Sequence, residues 1–135
     1  MRFIAVLLVA AVFAPSAVFA QSTKTTSPAA QTANECSACH FPYPAGLLPA
    51  ASWKKIMGDL QNHFGEDASL DEKVRANIQS YLVANAGRGN VDANNPPLRI
   101  TELTWFKQVH SEGEVLGLKQ RLNVNSFVDC GACHR

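Results

Sequence analysis

The chain has 135 residues, of which 47% are hydrophobic, and it carries a formal net charge of +1. This length is sufficient for one small globular domain but too short for two independent ones. The balanced charge argues against a protein that binds nucleic acid or an anionic membrane surface, because those proteins carry a large excess of basic residues.

The first twenty residues have the pattern of an export signal. Arg2 gives a short positive start, an unbroken apolar run follows as far as Phe13, and Ala20 ends a segment that suits a signal peptidase. The apolar run is too short to span a bilayer comfortably. We therefore predict a signal peptide at residues 1–20, cleaved near Ala20 and Gln21, and a mature protein that lies in the periplasm without stable membrane insertion. A retained N-terminal anchor is the alternative.

Residues 21–34, QSTKTTSPAAQTAN, contain no large apolar side chain. Such a segment buries little surface, so its composition predicts a flexible linker. The ordered domain is accordingly predicted to span residues 35–135.

The spacing Cys-x-x-Cys-His occurs twice, once at each end of this predicted domain. It is the attachment signature for c-type haem, in which two thiols add to the porphyrin vinyl groups and the adjacent imidazole reaches the iron. Two copies on an exported chain therefore predict two covalently bound haem c groups. The thioether cysteines and the histidine ligands of the two motifs are Cys36, Cys39 and His40, followed by Cys130, Cys133 and His134.

Other uses of four cysteines explain the pattern less well. A zinc site with two cysteine pairs separates them by roughly 15–20 residues, whereas Cys39 and Cys130 lie at opposite ends of the domain. Two local disulfides, or a thioredoxin-like redox pair, would leave the histidines unexplained. Haem attachment accounts for both residue types.

The residues after the first motif predict a helix. In SWKKIMGDLQNHFGED, Ser52 is placed as the N-cap, Gly65 as the stop, and His63 on the same face as the apolar residues. That apolar face is formed by Trp53, Ile56, Met57, Leu60 and Phe64.

The next segment, SLDEKVRANIQSYLVANAGRG, predicts a second helix with a capping box of Ser69 and Glu72 and a C-cap at Gly87. We expect it to pack against the first haem or against the helix that contains His63. Residues 88–98 are rich in turn-forming residues and predict a connector between two halves of the domain.

A third helix is predicted by RITELTWFKQVHSEG, with Thr101 as a cap and His110 on the apolar stripe. The segment EVLGLKQRLNVNS is either a short helix or irregular, and strand patterns are absent from the sequence. The predicted fold class is therefore mostly α, a small c-type cytochrome with little or no β-sheet. Its two haem-bearing halves span about residues 35–87 and 99–135, with a core made largely of porphyrin. We expect the haem-free chain to be poorly folded.

Each haem iron needs a second axial ligand, and the histidine count is informative. The chain has four histidines, and the two motifs leave only His63 and His110. Methionine is the usual competitor. Because Met1 lies in the predicted signal peptide, Met57 is the one methionine left as a rival ligand.

The spacing of the histidines favours one pairing. His63 follows His40 at almost the same separation at which His134 follows His110. We therefore predict that His40 and His63 hold the first iron and that His110 and His134 hold the second. The crossed arrangement, in which His63 reaches the second haem, is the alternative.

From residue 35 to residue 135 the chain resembles the small periplasmic dihaem cytochromes c. The similarity lies in CSACHFPYPAGLLPAASW, HFGEDASLD, YLVANAG, RITELTWFKQVH and CGACHR. It implies an electron carrier with two bis-histidine haems, in which His63 and His110 fall at the distal ligand positions. It also implies redox partners, either a small oxygen-binding monohaem cytochrome c or a membrane cytochrome b.

Saturated coordination favours electron transfer over catalysis. If two imidazoles hold each iron, neither iron has an open site for a small molecule, so we predict a carrier rather than an enzyme. Two nitrogen donors also stabilise ferric iron more than a thioether does, which predicts low reduction potentials. The alternatives are a haem peroxidase or reductase with one open iron, and an electron-transfer subunit of a larger redox complex.

Overall fold

The computed structural model describes residues 26–134, and this part of the chain is helical. Five α-helices follow one another, α1 (Pro28–Cys36), α2 (Ala50–Gly58), α3 (Glu72–Ala84), α4 (Thr104–His110) and α5 (Gly113–Arg121). Four single 3₁₀ turns lie at Ala45–Leu47, Leu60–Asn62, Ile100–Glu102 and Cys130–Ala132.

Extended structure is limited to two isolated β-bridges within residues 26–134, Pro49 with Gly87 and His63 with Glu66. The mostly α fold class is therefore confirmed. Across the same residues no helix combines the length and the apolar character needed to cross a bilayer. The signal-peptide prediction for residues 1–20 lies outside the described residues.

Helix α1 corrects the linker prediction, because residues 28–34 form most of this helix instead of a flexible tether. The Ser27 hydroxyl accepts a hydrogen bond from the Ala30 amide at 3.2 Å, and Pro28 occupies the first turn, as is usual at a helix N-terminus. Thr32 is buried, since α1 packs on α3, and its hydroxyl donates to the Pro28 carbonyl at 2.8 Å. Small side chains allow α1 to pack closely on α3. A pattern of large apolar residues does not indicate such a helix.

Helices α2 and α3 pack together and contain most of the core. Ile78 and Leu82 of α3 are almost completely buried against α2. Trp53 of α2 anchors the preceding loop, because its indole N–H donates to the Ala45 carbonyl at 2.7 Å. The buried apolar residues are Ala45, Leu48, Trp53, Met57, Leu60, Ile78 and Leu82 in the first half, with Leu103 and Phe106 in the second.

The start of α2 differs from the predicted one. The helix begins after Pro49, and Ser52 lies inside it, fully buried, instead of capping it. Pro49 sits at the N-cap with φ −65°, so the chain turns into the helix without a side-chain cap. The Ser52 hydroxyl has no hydrogen-bond partner among the described residues.

Helix α3 is capped by Asp71 and not by the predicted Ser69. The Asp71 carboxylate accepts hydrogen bonds from the amides of Lys73 at 3.0 Å and Val74 at 3.4 Å. Its negative charge also lies at the positive end of the helix dipole, which a serine hydroxyl cannot match.

We expect the variant Asp71→Ala to lose about 1 kcal/mol of unfolding free energy, since the cap is removed and two amides lose their acceptor. Ser69→Ala is the matched control and should leave the stability unchanged. Urea denaturation of the two holoproteins measures both effects. Equal losses in the two variants would contradict the assignment of the cap to Asp71.

Gly87 is not the helix C-cap that the sequence predicts. Helix α3 ends at Ala84 with Asn85 as the C-cap, and the Asn85 side chain donates to the Tyr81 carbonyl at 2.8 Å. Gly87 instead lies against the loop before α2, where its amide donates to the Leu48 carbonyl at 2.9 Å. A Cβ atom at position 87 would overlap the carbonyl oxygen of Gly46.

Gly87→Ala should therefore separate two backbone segments and destabilise the protein by about 1–3 kcal/mol, the usual cost of overpacking. Gly58→Ala is the control, because a Cβ atom there meets nothing within 4 Å. Urea denaturation compares the two. A Gly87→Ala protein as stable as Gly58→Ala would show that the contact with Gly46 relaxes without cost.

Candidate functional site

The first histidine pair joins the loop after α1 to the turn after α2. His40 directly follows Cys39, and its ring centroid lies 6.1 Å from that of His63, with an angle of 20° between the ring planes. Two residues that are far apart in the predicted first half are thus brought together.

His63 lies in a tight turn and not on a continuous helix, which corrects the prediction for this segment. Helix α2 ends at Gly58, and one 3₁₀ turn leads to His63. The His63 amide donates to the Glu66 carbonyl at 2.9 Å and the Glu66 amide donates back at 3.1 Å. Between them Phe64 and Gly65 adopt positive φ values of 54° and 103°. The glycine tolerates this conformation and allows the turn, which a helical periodicity cannot indicate.

The second pair joins the end of α4 to the second motif. His110 is the last residue of α4, and its ring centroid lies 6.2 Å from that of His134, with the planes at 67°. The Phe106 ring stacks on His110 at 3.9 Å and 11°, and Phe127 meets it edge-on at 5.7 Å. These two phenylalanines fix the orientation of the imidazole.

Both centroid spacings fit two imidazoles on opposite sides of one metal ion. A metal–imidazole bond is about 2.0 Å long and a ring nitrogen lies about 1.1 Å from its centroid, so two trans imidazoles have centroids about 6.2 Å apart. The angle between the ring planes is free to vary, because rotation about the metal–nitrogen bond does not change this distance. The centroid spacing of each pair therefore fits a haem iron between the two rings.

Hydrogen bonds set the tautomer of one imidazole in each pair. The Nδ1 atom of His40 lies 2.7 Å from the Phe41 carbonyl, and that of His110 lies 2.9 Å from the Phe106 carbonyl. A carbonyl only accepts, so Nδ1 carries the proton and donates in both rings. The Nε2 lone pair is then available to a metal, which is the arrangement usual for metal-bound histidine.

Burial also favours the neutral form of His63, which is the form that can bind a metal. It lowers the pKa of His63, and the nearby His40 lowers it further. The imidazole is therefore neutral at neutral pH and able to donate its lone pair.

The four cysteines lie in the described part of the chain, and no disulfide joins any two of them. Burial raises the pKa of Cys36, and the neighbouring Glu35 adds to the effect. Burial is also the main reason that the pKa of Cys130 is raised. Redox-active cysteines of the thioredoxin type require a lowered pKa, so the redox-pair alternative has no support here. Within residues 26–134 no three metal-binding side chains cluster as a zinc site requires.

Sequence reasoning did not assign Phe106 and Phe127 to the site. Phe106 precedes His110 by four residues, and that helical spacing predicts both the ring contact and the carbonyl at Nδ1. Phe127 has no comparable signal, because only the folding of the C-terminal segment brings it to α4.

Comparison with protein families matches residues 32–135 to Dihaem cytochrome c. The chain belongs to the dihaem cytochrome c family. It therefore carries two covalently bound haem c groups, as the motifs predict, and members of this family are in general electron carriers. Comparison with curated proteins gave no match.

Three solved structures are similar to this cytochrome. A crystal structure of DHC from Rhodobacter sphaeroides has 52% identity and a TM-score of 0.60, and covers 77% of this chain and 88% of its own. A diheme cytochrome c from the same organism has 50% identity and a TM-score of 0.66, with the same coverage. The diheme cytochrome from Shewanella baltica OS155 has 40% identity and a TM-score of 0.65, and covers 79% of this chain and 80% of its own.

Proposed function

We propose that this cytochrome is a periplasmic electron carrier in which two histidines hold each haem iron. His40 and His63 hold the first iron, and His110 and His134 hold the second. The observation that carries this proposal is the spacing of the two ring pairs, 6.1 Å and 6.2 Å. Haem supplies the redox chemistry, since each iron takes up and releases one electron between its ferric and ferrous states.

The thioether bonds are assigned to Cys36 and Cys39 on the first haem and to Cys130 and Cys133 on the second. Each pair brackets a short turn directly before its histidine, so thiols and imidazole reach the porphyrin from one segment. No disulfide uses any of these four cysteines, so all four sulfur atoms are left for haem attachment.

Met57 is a poorer ligand candidate than His63. Its side chain is 4% exposed and belongs to the core cluster between α2 and α3. Moving its sulfur to an iron would open a cavity in the core, whose cost rises with the volume lost. His63 reaches His40 without any such change.

The chain's own residues hold the imidazoles in place for electron transfer. The carbonyls of Phe41 and Phe106 orient the His40 and His110 rings through Nδ1. Hydrogen bonding at Nδ1 raises the basicity of the metal-binding nitrogen and so favours the ferric state. Both haems should therefore have low reduction potentials. As redox partner we propose a small oxygen-binding monohaem cytochrome c or a membrane cytochrome b.

Carbon monoxide binding tests the proposal. The absorption spectrum of the dithionite-reduced holoprotein is recorded before and promptly after addition of the gas, and we expect no change because both irons are saturated. A rapid shift in one haem would reveal an exchangeable position and favour a haem enzyme. The protein is also purified from the periplasmic fraction. Recovery as a single polypeptide indicates a free carrier, and recovery within a complex indicates a subunit of a larger assembly.

A further inference from the structure

One hydrogen bond joins the two halves of the cytochrome. The Tyr43 hydroxyl donates to the carbonyl of Val128 at 3.1 Å, across 85 positions of sequence. Within residues 26–134 no other hydrogen bond, from backbone or side chain, links residues 35–87 to residues 99–134. The two halves also share one apolar core, and Arg99 lies over the Phe64 ring at 4.3 Å, but hydrogen bonding between them depends on a single hydroxyl group.

Tyr43 lies beside the first attachment motif. Its ring centroid is 5.3 Å from that of His40 at an interplanar angle of 30°, and 5.7 Å from that of Phe41 at 73°. Its ring thus packs on the segment that carries the first haem ligand.

At its other end Tyr43 reaches the second motif. Val128, whose carbonyl accepts the hydrogen bond, lies two residues before Cys130. The 3₁₀ turn Cys130–Ala132 has no buried residue, and its amide hydrogen bonds are local, such as Cys133 to the Cys130 carbonyl at 3.2 Å. This segment packs against the second half through the Phe127 ring, which lies 6.1 Å from the Phe106 ring.

We propose that Tyr43 is a positioning residue that holds the second haem-attachment segment, residues 126–134, against the first and so fixes the placement of the two haem c groups relative to each other. The proposal rests on attachment at the two Cys-x-x-Cys-His motifs, as in the proposed function. It does not depend on which side chain is the second axial ligand of either iron.

The variant Tyr43→Phe removes the hydroxyl and keeps the ring against His40. Tyr81→Phe is the matched control, because Tyr81 is the only other tyrosine and its hydroxyl makes no hydrogen bond with the described residues. Both are compared as holoproteins with the parent. Hydrogen exchange is followed at the amides of Ala132, Cys133 and His134, and the two midpoint potentials are measured by spectroelectrochemical titration.

In Tyr43→Phe we expect exchange at these three amides to be roughly fivefold faster, the factor given by a net hydrogen-bond contribution of about 1 kcal/mol. Exchange in α2 and α3 should not change. We also expect the separation between the two midpoint potentials to shift, which a merely stabilising role would not produce. Tyr81→Phe should behave as the parent in every measurement.

Unchanged exchange and unchanged potentials in Tyr43→Phe would overturn the proposal. Faster exchange with an unchanged separation of potentials would also overturn it, because the hydroxyl would then stabilise the segment without placing the haems. Tyr43→Leu removes the ring as well, and an effect seen only in that variant would assign the role to the ring contact with His40. Carbon monoxide binding by the parent would contradict the proposed ligands while leaving this comparison valid.

Discussion

Replacing His110 by alanine is expected to convert one of the two haems completely from a low-spin to a high-spin state while the other haem keeps its parent spectrum. The Phe106 ring stacked at 3.9 Å and the carbonyl at Nδ1 hold the imidazole at a fixed distance from His134. Alanine cannot reach across that distance, so the iron that His110 is proposed to hold would lose one axial ligand. The absorption spectrum of the oxidised variant measures the change, and the reduced variant should bind carbon monoxide promptly at one haem.

His63→Ala should give the same result on the other haem, and the double variant should be high-spin at both. Met57→Leu is the control, because it removes the rival sulfur and conserves the volume of a buried core residue. It should keep both haems low-spin. If His63→Ala kept two low-spin haems and Met57→Leu did not, the ligand of the first iron would be Met57.

Helical periodicity predicted the helices whose apolar face packs against other parts of the polypeptide. Helices α3 and α4 lie where the spacing of Ile78 and Leu82, and of Leu103 and Phe106, indicates them. The same method missed α1, whose contacts with α3 use small residues such as Thr32. It extended α2 through His63, because a 3₁₀ turn and a tight turn preserve the apolar spacing without a continuous helix.

Helix ends were predicted less well than helix interiors. Several side chains near an N-terminus are able to cap it, and sequence alone did not choose Asp71 over Ser69. Gly87 looks like a C-cap because glycine often ends a helix, but its role is close contact with Gly46. Such a contact depends on the tertiary fold. The histidine rings that lie near each other are those that counting and spacing pair, whereas the hydrogen bond of Tyr43 to Val128 has no signal in the sequence.

The distribution of buried residues makes the second half of the cytochrome the part that depends most on its haem. Helix α5 and the turn Cys130–Ala132 contain no buried residue, and within residues 99–134 only Leu103 and Phe106 are buried in the core, with Ile100 and Phe127 half-buried against it. Each large apolar side chain contributes about 1.5–3 kcal/mol when fully buried. Protein packing alone therefore gives residues 99–134 little stability against the conformational entropy of an ordered chain.

We accordingly expect the double variant Cys130→Ala and Cys133→Ala to retain one haem and to lose the ordered structure of α5. The amides of α5 should exchange close to the rate of an unfolded chain, whereas those of α3 stay protected by Ile78 and Leu82. Intact-protein mass spectrometry counts the haems, and residue-resolved hydrogen exchange measures the protection.

The matched variant, Cys36→Ala with Cys39→Ala, removes the other attachment and should leave α3 more protected than α5 is in the first variant. The reason is that α2 and α3 share a core made of protein, including Trp53, Met57 and Ile78. Full protection of α5 after loss of the second haem would show that the polypeptide alone folds this half. In that event the porphyrin would occupy a site that is already folded without it, and the expectation that the haem supplies much of the core would be wrong.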